Sequence, residues 1–270
     1  MNRRNLSIFA DSAAPAARSA RARWGGGEPA RWTPAPQRAD GSWNGSVHDT
    51  IQELYAAWLS EPLEGSAREA AERGVNWLLE CHHPPIRGHR NADGASYDNL
   101  FFEMEQRYEA ARLRVMTGVP FGDGCSGFVK TGAALFLAQE LGLGSRERVA
   151  LAFESLEGIP AIRRGWWCNA RCGSNIFQAY VLHPGPALGL ALDFLARRES
   201  SNGGWGDGVP FYPTLNALAR LDDRRAAEMF ARALPRVQGS RAADGGWGRS
   251  DREFKTFLVL DAFERKGIGW

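Results

Sequence analysis

The residues best equipped for chemistry are the adjacent His48 and Asp49, a second carboxylate at Asp98, and a group of cysteines, histidines, aromatics and arginines gathered in a few polar stretches. Asp49 and Asp98 hold equivalent places ahead of two helix-periodic stretches, so the two carboxylates would face each other across neighbouring helix starts. A carboxylate at such a place either caps the helix or serves an active site, and the helix dipole there lowers its pKa. Cys168 and Cys172 have a Cys-x3-Cys spacing and, with Cys125 and an imidazole from His82, His83 or His89, supply the thiolate and nitrogen donors of a tetrahedral zinc site. The alternative is that these thiols are ordinary buried residues. Trp166 and Trp167 follow Arg163 and Arg164, with Arg171 close behind. Indole faces suit an apolar guest or a passing cation as well as they suit packing, and guanidinium forks suit a diphosphate as well as they suit a wet surface.

These residues must be positioned by some scaffold, and a repeat shows what it is. Asp40-Gly-Ser-Trp43, Asn202-Gly-Gly-Trp205 and Asp244-Gly-Gly-Trp247 are three copies of one turn, with a degraded fourth at Asp93-Gly-Ala-Ser96. Apolar, helix-periodic stretches follow each copy and precede all but the first, which makes the unit helix, turn, helix. Aligning the second helix of each unit on a small polar opener gives Thr50, Asn99, Thr131, Asn175, Thr214 and Thr256. The stretch 131–141 is apolar nearly all round, as expected of a helix enclosed on most sides. The expected architecture is therefore all-α: a single (α/α)6 toroid of about eleven helices, with an inner ring opening on those residues and an outer ring of companions. Residues 41–270 make up that domain, and residues 1–40 are expected to be a flexible Arg/Ala/Pro-rich tail.

In such a toroid every turn from an outer to an inner helix emerges at one rim, so the loops 37–46, 81–97, 118–126, 159–174, 199–210 and 237–251 would share a face. All four cysteines and His82, His83 and His89 fall in those loops, and His48 follows one directly. His183 alone falls at the other rim. The tryptophans of the repeat, Trp43, Trp205 and Trp247, are read as braces of the turn against the outer helix.

Composition narrows the classes further. The chain has 270 residues, 44% hydrophobic and 24% charged, enough for a large core and too apolar for disorder throughout. No apolar run approaches the roughly 18 residues of a membrane-spanning helix, although peripheral membrane contact is left open. The first 40 residues carry seven arginines against three acids, while the remainder is close to neutral, which argues against nucleic acid as a partner. Without a recognisable export segment the expected compartment is the cytoplasm, and the four cysteines are then not a disulfide framework. There is no Gly-rich phosphate loop, dinucleotide fingerprint or Gly-x-Ser-x-Gly elbow.

The repeated (Asp/Asn)-Gly-(Gly/Ser)-Trp turn between apolar helices resembles the repeat of squalene and oxidosqualene cyclases and of protein prenyltransferase β-subunits, over residues 40–270. The resemblance implies a lipophilic isoprenoid or polyene substrate held in the ring and carbocation chemistry begun by proton transfer. Class II terpene cyclases have Asp-x-Asp-Asp-Thr at an inner-helix start; the best match here is Ser46-Val47-His48-Asp49-Thr50. Only Asp49 and Thr50 agree, and His48 stands where the family has its proton donor. The implied roles are Asp49 as acid, His48 as the group that orients or recharges it, Asp98 as the next carboxylate, and Trp166, Trp167, Tyr97, Phe101 and Phe102 as cavity wall. No cofactor is implied by the cyclase reading. The prenyltransferase reading implies zinc, but that family's Asp-x-Cys is replaced by Arg252-Glu253-Phe254-Lys255-Thr256, leaving the Cys/His set above as the donors. A toroid that binds a lipid or a protein without catalysis is the reading from another class.

Overall fold

A computed structural model of the chain describes residues 32–58, 63–80, 126–158, 165–167, 170–249 and 252–270. Among these residues the regular elements are all helices: α1 (Val47–Trp58), α2 (Gly65–Glu80), α3 (Ser126–Glu140), α4 (Glu147–Glu157), α5 (Ala170–Tyr180), α6 (Leu188–Ala196), α7 (Phe211–Ala219), α8 (Arg224–Gly239) and α9 (Arg252–Arg265). Only two isolated β-bridges, Trp43 with Ser46 and Glu199 with Trp205, accompany them. None of the described helices is long and apolar enough to cross a membrane.

The helices form the two rings of an α/α toroid. Helices α1, α3, α5, α7 and α9 pack side by side in that order, each against its neighbour. Trp58 of α1 meets Phe257 of α9 edge-on at 5.1 Å and so joins the two ends of the inner row. Helices α2, α4 and α8 back α1, α3 and α7, and α6 packs on α8. The sequence shows why the layers differ. Residues 133–138 of α3 are buried on every side, whereas α8 buries only the stripe Ala226, Met229, Phe230, Ala233 and Val237, the 3.6-residue spacing of a surface helix. Helix α8 has a conventional cap, with the Asp223 carboxylate accepting from the N–H groups of Arg225 (2.8 Å) and Ala226 (3.1 Å). The sixth expected inner helix, at Asn99, and the degraded turn 93–96 lie outside the described residues.

The three turns are built alike. In each, the leading side chain accepts from the N–H two residues on: Asp40 from Ser42 (2.9 Å), Asn202 from Gly204 (3.1 Å) and Asp244 from Gly246 (3.1 Å). The glycine between has a left-handed backbone, with φ of +94° at Gly41, +74° at Gly203 and +85° at Gly245. At Gly203 a Cβ would stand 2.4 Å from the Arg232 carbonyl of α8, so glycine is required for close approach as well as for φ. The tryptophans then brace the turn. The Trp43 ring fills the space over Gly74 of α2, where a Cβ would come within 2.5 Å of it, and the Trp247 indole donates to the Val237 carbonyl at 2.7 Å.

Two expectations need revision here. The aligned threonines do not open their helices: Thr50 and Thr256 stand a turn inside α1 and α9, fully buried. Their hydroxyls accept from the backbone N–H of Trp43 (3.0 Å) and Trp247 (2.9 Å), tying each helix to the turn before it. The domain also begins earlier than residue 41. Trp32 packs on Trp43 with ring centroids 6.0 Å apart, the Ala35 carbonyl accepts the Trp43 indole N–H at 2.9 Å, and Gln37 donates to the Ala70 carbonyl of α2 at 2.9 Å. Apolar surface on Trp43 outweighs the tail-like composition of this segment.

Candidate functional site

At the start of α1 the chain makes a tight turn through Asn44 (φ +57°) and Gly45 (φ +68°) and enters the helix at Ser46. The Ser46 hydroxyl accepts from the Asp49 N–H at 3.2 Å, so Ser46 performs the capping that Asp49 was the alternative candidate for. The Asp49 carboxylate is thereby left to other partners. Its Oδ2 accepts from the Asn44 side-chain amide at 2.9 Å, and its Oδ1 lies 3.2 Å from His48 Nδ1. Partial burial pushes the Asp49 carboxyl up, but the bonds from Asn44 and His48 outweigh it and hold the group below its ordinary value. The Asp49 side chain is 41% exposed and His48 16%. His48 Nε2 is sealed from solvent and has no hydrogen-bond partner among the described residues. An ionised carboxylate only accepts, so the proton between the two sits on Nδ1, which leaves Nε2 as the ring position open to exchange.

The other expected site residues are distributed as follows. Asp98, Tyr97, Phe101, Phe102, Arg163, Arg164, Cys125, Cys168, His82, His83 and His89 lie outside the described residues, as do the side chains of Arg171 and Cys172, whose backbones belong to α5. Among the described residues no three His, Cys, Asp or Glu side chains are grouped so as to hold a metal ion. Trp166 and Trp167 are described, and both are fully buried in the wall. Trp166 stacks on Phe194 of α6 at 4.6 Å and 5°, and a Cβ at Gly173 of α5 would collide with its indole. Trp167 donates to the Leu156 carbonyl of α4 at 3.3 Å and meets Tyr180 at 4.9 Å. Of the two readings offered for this pair, these contacts describe packing between α4, α5 and α6.

The opposite end of the inner ring holds a charged group that the sequence reading did not single out. Arg220, just past α7, donates to Glu140 of α3 at 2.6 Å and to Asp261 of α9 at 3.3 Å, and its Nε donates to Asn216 at 3.1 Å. Arg265 donates to Asp261 at 2.9 Å, the Asn216 amide does so at 2.7 Å, and the Trp58 indole of α1 donates to Glu140 at 2.7 Å. Four inner helices are joined at their C-terminal ends by two carboxylates and two guanidinium groups, with Arg220, Glu140 and Asp261 all at most 3% exposed. Burial pushes the Asp261 carboxyl up, but Arg220, Arg265 and Asn216 outweigh it and hold it below the usual range. Over this floor lie Tyr55, Trp58, Phe136 and Phe257 in mutual contact at 5.0 to 5.9 Å. Burial, helped by Glu140 and opposed by Arg220, keeps the Tyr55 phenol protonated far above its ordinary range. The available signal was a lone charge inside an apolar run, Asp261 in Leu258-Val259-Leu260-Asp261-Ala262-Phe263, followed four residues later by Arg265.

No protein-family model matches the chain, and no curated protein matches it. Among solved structures, a crystal structure of a protein from Actinoplanes is similar at 19% identity with a TM-score of 0.48, over 86% of this chain and 80% of that one. A variant of the type II terpene cyclase MstE from Scytonema is similar at 12% identity with a TM-score of 0.35, over 95% of this chain and 96% of that one. Similarity at these levels fixes no activity.

Proposed function

We propose that this chain is a toroid enzyme acting on a lipophilic isoprenoid or related polyene, with proton transfer at the Asp49 and His48 pair starting carbocation chemistry. The observation that carries the reading is that pair: an ionised carboxylate bonded to one nitrogen of a histidine whose other nitrogen is dry and unpartnered among the described residues. A proton-transfer group needs an orienting partner on one side and a free position on the other.

The test is to incubate purified protein with squalene, epoxysqualene and C15 to C20 polyprenyl diphosphates and to analyse extracts by gas chromatography with mass detection. The expected result is a product isomeric with one of these substrates. Substrate returned unchanged by protein that binds it tightly would instead favour the non-catalytic lipid-binding toroid. Elemental analysis of the same sample tests zinc: about one zinc per chain, lost when Cys168 and Cys172 are replaced by Ser, is the outcome expected of a metal-dependent enzyme.

A further inference from the structure

The geometry points to His48 Nε2 as the atom that carries the proton to and from the substrate, with Asp49 as its positioning residue. This assignment rests on the proposed function and reverses the roles that the sequence resemblance gives the two residues. The first ground is placement. Asp49 is the more exposed of the two, both its oxygens are engaged by Asn44 and His48, and it sits outward on the turn. His48 is the more enclosed, and its Nε2 is a buried polar atom with no partner among the described residues.

The second ground is chemical. A carboxylate that accepts two donated bonds has its charged form favoured and gives up a proton only at low pH, when it holds one at all. The same carboxylate stabilises an imidazolium beside it, fixes the ring through Nδ1–H, and leaves Nε2 to gain or lose the mobile proton. Ser46 supports the arrangement by taking over the cap, which frees Asp49 to hold the ring.

The step balances without any further reagent. Imidazolium gives its Nε2 proton to the substrate, and the N–H electron pair returns to nitrogen as a lone pair. The neutral imidazole then removes a proton from a carbon beside the cationic centre, and the C–H pair becomes a new double bond, so the net reaction is an isomerisation. An imidazolium is roughly two to three pKa units weaker as an acid than an aspartic acid in ordinary peptides. The substrate class that fits is therefore a lipophilic molecule with a basic oxygen or an electron-rich, oxygen-substituted double bond, rather than an isolated alkene.

Two measurements test the assignment separately from the function on which it rests. The first needs no substrate: nitrogen-15 NMR of histidine-labelled protein at neutral pH, with His48→Gln identifying the resonance. His48 should show Nδ1 protonated throughout, with Nε2 the nitrogen that exchanges its proton, bare in the neutral ring and protonated in the imidazolium. The opposite tautomer overturns the assignment whatever the substrate proves to be. The second uses epoxysqualene in detergent micelles as the probe. His48→Gln should lower kcat by roughly 10²- to 10⁴-fold, and Asp49→Asn by roughly 10- to 100-fold at nearly constant KM, with Asp49→Glu recovering part of the loss. Abolition by Asp49→Asn together with near-normal kcat in His48→Gln would return the acid to Asp49 and overturn the assignment. Absence of turnover by the unmodified chain with every probe would count against the isoprenoid reading, while the tautomer result decides the dyad by itself.

Discussion

The two ends of the inner ring carry the same kinds of groups in opposite conditions. At the mouth, one carboxylate and one imidazole sit on a single helix start, partly wet, with one ring nitrogen unpartnered among the described residues. At the floor, Glu140, Arg220, Asp261 and Arg265 come from three helices or their ends, are almost fully buried, and share six side-chain hydrogen bonds with Asn216 and Trp58. Ions taken so far from water are tolerable only when nearly every donor and acceptor is engaged, and charges engaged to that degree are poorly placed to react. The floor thus uses its ion pairs to hold the ring together, although Asp261 Oδ1 and the Tyr55 hydroxyl find no partner there among the described residues, whereas the mouth presents a part-exposed carboxylate beside an unpartnered imidazole nitrogen.

The sharpest way to break this contrast is to remove its central cation. Arg220→Met leaves Glu140 and Asp261 buried without their main partner and should cost about 3–5 kcal/mol, a fall in Tm on the order of 10 °C, whereas His48→Gln should cost less than about 1 kcal/mol. Equal losses measured by thermal denaturation would erase the distinction between floor and mouth. A second substitution separates the scaffold of the mouth from its chemistry. Gly203→Ala must adopt φ +74° and drive a Cβ against the Arg232 carbonyl, for a loss of about 2–3 kcal/mol. Gly208→Ala has a similar φ of +78° but open space around it and should lose only about 1 kcal/mol, so the gap between the two measures the close approach itself.

Acid should act through the floor. Asp261 has a folded-state pKa below its ordinary value, so its contribution is fully present above about pH 4 and is lost as pH falls through the depressed folded value. Denaturant melts between pH 5 and pH 2 should show a declining midpoint, and Asp261→Asn should be less stable at pH 7 but flatter across that window. Trp32→Ala removes the contact with Trp43 and the hydrogen bond to Glu53, and a loss of about 1 kcal/mol is expected. An unchanged melting temperature would return this segment to the status of a tail. The smallest effect belongs to Asn44→Ala. Losing the amide bond should raise the Asp49 carboxyl toward its ordinary value, visible in a carbon-13 NMR titration, while stability shifts by under about 0.5 kcal/mol because the bond is exposed.

How much of this was legible follows from the range of each interaction. The Asp/Asn-Gly-Gly/Ser-Trp turns could be read because every requirement is local: an acceptor two residues from its donor, a glycine for positive φ, an indole for the adjacent helix. The division into enclosed and amphipathic helices could be read from the spacing of apolar residues alone. The threonines were found but assigned the wrong partner, since the residue that Thr256 serves, Trp247, lies back across the turn rather than in its own helix. Segment 32–38 was misjudged because composition reports what a stretch can do by itself, and Trp32 is held by Trp43 and Glu53 rather than by its neighbours in sequence.

The sequence by itself determined the repeat, the helical class and the placing of His48 and Asp49 at the first residues of an inner helix, because each depends on chemistry within a few residues. Tertiary structure alone decided which of that pair is dry and which is wet, and it alone joined Glu140 to Arg220 across 80 residues and Arg220 to Asp261 across 41. Burial and long-range pairing depend on which helix is packed beside which, and that is settled only when the ring closes and every apolar face has found its neighbour.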